Sequence, residues 1–384
     1  MTAVLGLTGA GLVMVAIMAL AFLIGGLQVI YTSLAIGGMF AFLSVVVLSL
    51  TWLERKTLAR IQMRLGPMRV GPHGLLQPFA DVIKLMGKED ILPAWVDRTV
   101  YWIAPLALFV PSFAIWVVIP LGPGLVIRDL ELGLLYVLAL SVVSILGLIM
   151  AGWASANKYS VLGGLRSAAQ LVSYEIPLIV VALSIAALAG SLNLTTIVEM
   201  GSPVPYVLLQ PLGFIIFFLA GLAEVGRTPF DIYHADSEVI GGPFVDYSGA
   251  HWTAFFLAEY INTFLLAALL TLLFLGGWSG PWLPGAVWFI MKVYAVVLVV
   301  FWFRGTFPRL RIDQLMSLGW KVLVPLSFLN LVLTASALFY GWPSWVLGAL
   351  GLAVVAAVFT ASRRASTRSR PSLTLVPARE VRRA

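Results

Sequence analysis

Apolar residues in this chain do not alternate; they run in long blocks. Stretches of about twenty apolar positions, enough to cross a hydrocarbon core as helix, fall at 3–24, 31–53, 100–121, 133–152, 168–192, 206–224, 252–276, 286–304, 321–341 and 343–361. Loops that carry most of the charged residues, the longest over 54–99, separate most of them. Without period-two alternation a membrane β-barrel is not expected, and backbone groups in hydrocarbon then have to bond within helices. The pattern predicts an all-α, polytopic integral membrane bundle of about 9–10 transmembrane helices.

One polar segment has a helical period of its own. Between Leu75 and Lys88, Leu76, Phe79, Ile83 and Met86 fall on one face, and Gln77, Asp81, Lys84 and Lys88 on the other. A Gly-Pro-rich hook (Gly66-Pro67, Gly71-Pro72) precedes it. This predicts an amphipathic helix lying at the membrane interface, as an anchor or as a functional surface. Four units follow: an extra hydrophobic segment over 1–30, a membrane domain over 31–341, an additional transmembrane helix over 342–361, and a basic tail over 362–384. The tail is expected to be disordered and cytoplasmic, and to meet anionic lipid or a neighbouring protein of the same assembly.

Composition supports the membrane reading: the chain is 61% hydrophobic and 11% charged, against about a quarter charged in soluble domains. The net charge of +7 would suit nucleic acid, but its distribution argues otherwise. Of the 24 Lys and Arg, 22 fall in alternate loops and the tail, so the surplus is a topology signal that places those loops and the C-terminus in the cytoplasm. The absence of cysteine excludes disulfides, thiolate metal sites and iron–sulfur ligation by this chain. His73, His234 and His251 make no metal-binding spacing.

Four ionisable residues lie within the predicted spans: Glu175, Glu224, Glu259 and Lys292. A charge at the bilayer centre costs about 3 kcal/mol or more, so such groups face protein or water and mark sites. They form a candidate ladder of protonatable groups, fit for proton movement or for a substrate cavity. The loop 225–251 adds Asp231, Asp236, Glu238 and Asp246 against Arg227, together with Phe230, Ile232, Tyr233 and Phe244, which are apolar enough to pack between helices.

The first cytoplasmic loop opens with "ERKTLARIQMRLGPMRVGPHGLLQPFADVIK" (54–84). It resembles the H-subunit family of respiratory NADH:quinone oxidoreductase, complex I, whose pattern runs ERK-x-LAR-x-Q-x-R-x-GP-x-R-x-GP-x-GLLQP-x-AD-x-x-K. "AGWASANKYSVLGGLRSAAQLVSYEIP" (151–177), "FFLAEY" (255–260) and "FRGTFPRLRIDQLMSLGWKVLVP" (303–325) are similar to further stretches of that family. The resemblance covers about 31–341. It implies a membrane component that forms the quinone-binding chamber and starts the proton path coupling quinone reduction to pumping. Glu54, Arg55, Arg64, Phe79, Asp81, Lys84, Arg227, Phe230, Asp231 and Arg304 are then expected on the quinone side. Glu175, Glu224, Glu259, Asp236, Glu238, His234 and Lys292 are expected in the proton relay.

The resemblance further implies quinone as substrate and no cofactor or metal bound by this chain. Iron–sulfur clusters and FMN belong to partner subunits, the partners being other membrane subunits and those of the hydrophilic arm. The expected location is the bacterial inner membrane. One departure stands out. The family reads AETNR-x-PFDLPEAESELV where this chain has "AEVGRTPFDIYHADSEVI" (223–240), so His234 replaces a carboxylate and Asp236 shortens another. Two rivals are weighed: the equivalent component of a membrane-bound hydrogenase or formate hydrogenlyase, and a stand-alone secondary transporter. A transporter predicts repeated halves, and no convincing repeat is visible.

Overall fold

The computed structural model describes the backbone of residues 2–202, 204–233 and 236–368. Side chains are described from Tyr31 onward within those ranges, except Asp236, Ser237, Ser344, Ser362 and 364–368. The predicted span 3–24 therefore has its side chains outside the described residues, and the tail from 369 lies wholly outside them.

The elements are helical throughout the described residues. In order they are α1 (Thr2–Ile61), α2 (Gln77–Met86), α3 (Arg98–Ala114), α4 (Gly133–Ala154), α5 (Lys158–Ala189), α6 (Leu194–Met200) and α7 (Tyr206–Leu209). Then come α8 (Pro211–Glu224), α9 (Asp236–Val239), α10 (Gly249–Phe274), α11 (Gly285–Thr306), α12 (Ile312–Leu318), α13 (Val324–Tyr340) and α14 (Ser344–Arg368). A π turn, Gly319–Leu323, joins α12 to α13. Seven helices among the described residues are long and apolar enough to cross a membrane, and two shorter apolar ones, Pro211–Glu224 and Trp345–Ala361, accompany them.

Local chemistry explains the boundaries. Asn157 caps α5 by accepting from the Tyr159 N–H at 3.1 Å, and Asn193 caps α6 by accepting from Thr195 (2.7 Å) and Thr196 (3.2 Å). Gly190 ends α5 in the left-handed conformation (φ 67°), which a residue without Cβ adopts freely. α1 overruns the predicted end at 53, because ERKTLARI offers no turn signal before Gly66-Pro67. Glu54 therefore belongs to a helix and not to the loop in which the sequence placed it.

The span predicted over 206–224 is interrupted. Pro211 disfavours helical angles at the residue before it, and Gln210 sits at φ −132°, ψ 65° between α7 and α8. The remaining fourteen residues of α8 extend only about 21 Å at 1.5 Å per residue, short of the ~30 Å core.

The bundle is organised around α5 and α10, the spans most buried by their neighbours (67% and 78%). These are also the two that carry Glu175 and Glu259. α4 and α5 meet through glycines: a Cβ on Gly152 would stand 2.9 Å from Gly164 Cα, the small-residue contact that brings membrane helices close. α2 packs on α1 and α10 and turns Leu76, Phe79, Ile83 and Met86 outward; all four are exposed. The one-sided helix expected over 75–88 is present over 77–86, with its apolar face away from the bundle.

Candidate functional site

Two cavities adjoin inside the bundle. The inner one, of about 80 Å³, is walled mostly by apolar side chains and lined by the carboxyl-bearing Glu175, Glu224 and Glu259, with Ser141, Ser144 and Asn262. The outer one, of about 280 Å³, is lined by Arg227, Asp231, Glu259, Tyr260, Arg304 and Arg309, with Trp252 and Phe256. Glu259 lines both. It is the junction.

The side chains converge from four parts of the chain. Glu54, from α1, is 3% exposed, and its Oε1 pairs with Arg304 Nη1 from α11 and with Arg227 Nη1 at 3.6 Å. Its Oε2 accepts from the Tyr260 hydroxyl of α10 at 2.7 Å. Arg227, from the loop after α8, also reaches Glu259 Oε1 at 3.3 Å and lies 4.6 Å over the Tyr260 ring, a cation–π contact. Burial opposes the charge on Arg227, but Glu259 and Glu54 outweigh it and hold the guanidinium above its usual range. The result is a chain of alternating charge, Arg304, Glu54, Arg227 and Glu259, buried at its two middle members.

In the inner cavity, Ser141 donates to Glu175 Oε1 at 3.2 Å. Glu224 Oε2 is shut off from solvent and has no hydrogen-bond partner among the described residues. A buried acceptor left unpaired costs roughly 1–3 kcal/mol, which packing alone gives no reason to keep. The loop that follows is anchored from α5: Gln170 donates its amide to the carbonyls of Ala223 (2.7 Å) and Phe230 (2.9 Å). Phe230 is buried and packs 5.7 Å from the Tyr174 ring.

The remaining predicted residues divide. Asp231 lines the outer cavity and pairs with Arg309 at 3.1 Å. Arg55 pairs with Asp81 at 2.6 Å, which ties α1 to the polar side of α2, while Phe79 and Lys84 stay exposed beside it. Arg64 is exposed and donates to Gln62, and Glu238 pairs with Arg166 at 2.7 Å; neither lines either cavity. Lys292 stands apart as well. Its ammonium donates to the carbonyls of Leu275 (2.8 Å), Gly277 (3.0 Å) and Ser279 (2.8 Å), capping the far end of α10. His234 and the Asp236 side chain lie outside the described residues. Sequence reasoning passed over Tyr260, Arg309, Ser141 and Gln170. Tyr260 carried the best signal, as a hydroxyl-bearing aromatic beside an intramembrane acid in FFLAEY.

Comparison with known proteins bears on this arrangement directly. A family model described as NADH dehydrogenase matches residues 34–335. The H subunit of the NADH-quinone oxidoreductase of Dehalococcoides mccartyi (strain CBDB1) is 50% identical over 297 residues, 77% of this chain and 84% of that one. The chain belongs to the NADH dehydrogenase H-subunit family. The H subunit of Geobacillus kaustophilus (strain HTA426) is 52% identical over 287 residues, 73% of this chain and 86% of the relative. That of Geobacillus sp. (strain WCH70) is 47% identical over 312 residues, 80% and 93%. In this H-type chain, both cavities and the outward face of α2 fall within the matched stretch, whereas α14 follows it.

Proposed function

We propose that this chain, the H subunit of a proton-translocating NADH:quinone oxidoreductase, binds the quinone headgroup at the Arg-lined cavity and starts the proton path at the acid-lined one. The observation that carries this reading is Glu259, which lines both. Negative charge arriving beside Arg227 and Arg304 competes with Glu54 and Glu259 for those cations. A carboxylate losing its counter-charge in a low-dielectric site takes up a proton. Glu259 passes that change to Glu224 and Glu175 across the inner cavity. The charge pattern, not a covalent step by this chain, does the coupling.

The exposed apolar face of α2, with Phe79 outward and Asp81 held by Arg55, supports a doorway for a long-tailed quinone entering from lipid. Electrons would come from FMN and iron–sulfur clusters in partner subunits, whose hydrophilic arm would dock over the basic cytoplasmic loops. The family's respiratory role fits a bacterial inner membrane with the C-terminus in the cytoplasm. His234 extends the acidic loop, where an imidazole relays protons near neutral pH; full pumping and quinone reduction in His234→Ala would remove it from the path. The relatives named above all carry an NADH-quinone oxidoreductase name, which favours the NADH-driven complex over a hydrogenase or a stand-alone transporter. The test is Glu175→Gln or Glu224→Gln in the assembled complex, reconstituted in vesicles: proton pumping should fall. Unchanged pumping in both would defeat the relay.

A further inference from the structure

The proton path leaves one set of buried polar side chains unused, and it sits at the other end of α8. At the interruption before Pro211, the Gln210 side chain turns into the bundle and is 1% exposed. Its Nε2 donates to Thr334 Oγ1 at 2.6 Å. Its Oε1 accepts from Ser184 Oγ at 3.1 Å and from Asn330 Nδ2 at 3.4 Å. Asn330 Nδ2 also donates to Ser184 Oγ at 3.0 Å, and Thr334 donates to the Asn330 carbonyl at 2.7 Å. All four residues are 3% exposed or less. They are neutral and bonded to one another, which suits a fastening better than a conduit.

The surroundings are shaped to this knot. A Cβ on Gly213 would stand 3.1 Å from Gln210 Oε1 and 3.2 Å from Asn330 Nδ2. On the other flank α14 closes over the gap between α7 and α8. A Cβ on Gly348 would stand 2.4 Å from the Leu208 carbonyl oxygen, and one on Gly351 would stand 3.2 Å from Pro211 Cδ. Irregular backbone at membrane depth persists where protein covers it or where it lines a water-filled cavity. Here the cover is a helix that lies beyond the family-matched stretch.

The geometry points to Gln210 as a positioning residue: by tying α8 to α5 and α13 at one end, it sets, together with the Gln170 bond to the Ala223 carbonyl at the other, the separation of Glu224 and Glu175. α5 carries both Ser184 and, about 14 Å back along the helix axis, Glu175. α8 runs about 21 Å from Gln210 to Glu224. Both residues line one cavity, so the spacing of their carboxyl groups follows the helices that bear them. This inference rests on the reading of Glu175 and Glu224 as proton carriers.

The test uses the assembled complex in vesicles with Gln210→Met, which keeps bulk and removes the bonds, and Thr334→Val, which keeps the shape and removes a single bond of Gln210 along with the bond from Thr334 to the Asn330 carbonyl. The expected result for Gln210→Met is an at least about twofold drop in protons pumped per NADH, at a near-normal rate of quinone reduction. Thr334→Val should show a smaller drop, and amide exchange across 210–224 should quicken in both. A merely structural role would lower the amount of complex without changing protons per turnover. Wild-type pumping per NADH in the assembled variants overturns the proposal whatever the exchange shows. If Gln210→Met fails to assemble, Thr334→Val decides. Glu175→Gln, run alongside, separates the two failures. Intact pumping there removes Glu175 as a proton carrier and this proposal with it; lost pumping there with intact knot variants removes this proposal alone.

Discussion

Arg227 is the most exposed to refutation of all the residues in the site, because so much converges on it. Arg227→Met keeps an unbranched apolar stem and deletes the guanidinium. Glu54 would keep Arg304 and the Tyr260 hydroxyl, so it is not orphaned. Glu259 would lose the cation at 3.3 Å, and Tyr260 the charge over its ring. Removing one partner of a buried ion pair costs about 3–5 kcal/mol. The Glu259 side chain is 21% exposed, and solvent screens part of that, so the lower end applies; the cation–π contact adds about 1 kcal/mol or more. If the loss is felt in the transition state, about 3 kcal/mol is roughly a hundredfold or more in kcat/KM for quinone. Arg227→Lys keeps the charge without the fork or the stacking and should lose less. The assay is quinone reduction by membranes, normalised to assembled complex, together with thermal inactivation of the solubilised complex. Activity and inactivation of Arg227→Met within about twofold of wild type would refute the reasoning, since a factor of two is under 0.5 kcal/mol.

Three further outcomes follow from the structure. Phe79→Ser on the outward face of α2 should raise KM for a long-tailed quinone by about tenfold, the worth of one buried aromatic side chain, and leave KM for a short-tailed analogue unchanged; equal effects on both would remove the doorway. Lys292→Met strands three carbonyl groups at the far end of α10, so heat stability should fall while protons per NADH hold steady, and the reverse pattern would return Lys292 to the relay. Burial raises the Asp246 carboxyl above its ordinary value, an effect that the Asn157 hydrogen bond only partly offsets. A raised carboxyl contributes its stability below the unfolded value and loses it as pH climbs through the folded one. Asp246→Asn should therefore stabilise the complex at neutral pH, with the gain vanishing at acid pH, as read by thermal inactivation across pH; a gain that persists in acid would contradict the assignment.

Much of this was legible in the residues themselves. Blocks of apolar length placed α4, α10 and α11 within a few positions, since a hydrocarbon solvent leaves little choice of element. The period of α2 told its outward face from its polar one. Intramembrane acids announced Glu175 and Glu259, because burying charge is costly enough to need a reason. Three things were not readable. The gap at Gln210 lies inside an apolar run whose hydropathy never falters, and only the following Pro211 hinted at it. The partners of Glu54 come from residues 227 and 304, far away in sequence, and no local pattern reports such pairing. The carbonyls that Lys292 meets belong to residues 275, 277 and 279, on a neighbouring segment, and no local pattern reports that contact either.

Everything turns on Glu259 as the shared wall of two cavities. The most direct measurement is protons pumped per NADH oxidised by the vesicle-reconstituted complex bearing Glu259→Gln, a change that keeps shape and hydrogen bonding but removes the ionisable group. Pumping should fall to a small fraction of wild type while the complex still assembles. Full pumping by an assembled Glu259→Gln complex would mean that charge in the Arg-lined cavity reaches the membrane by some other route.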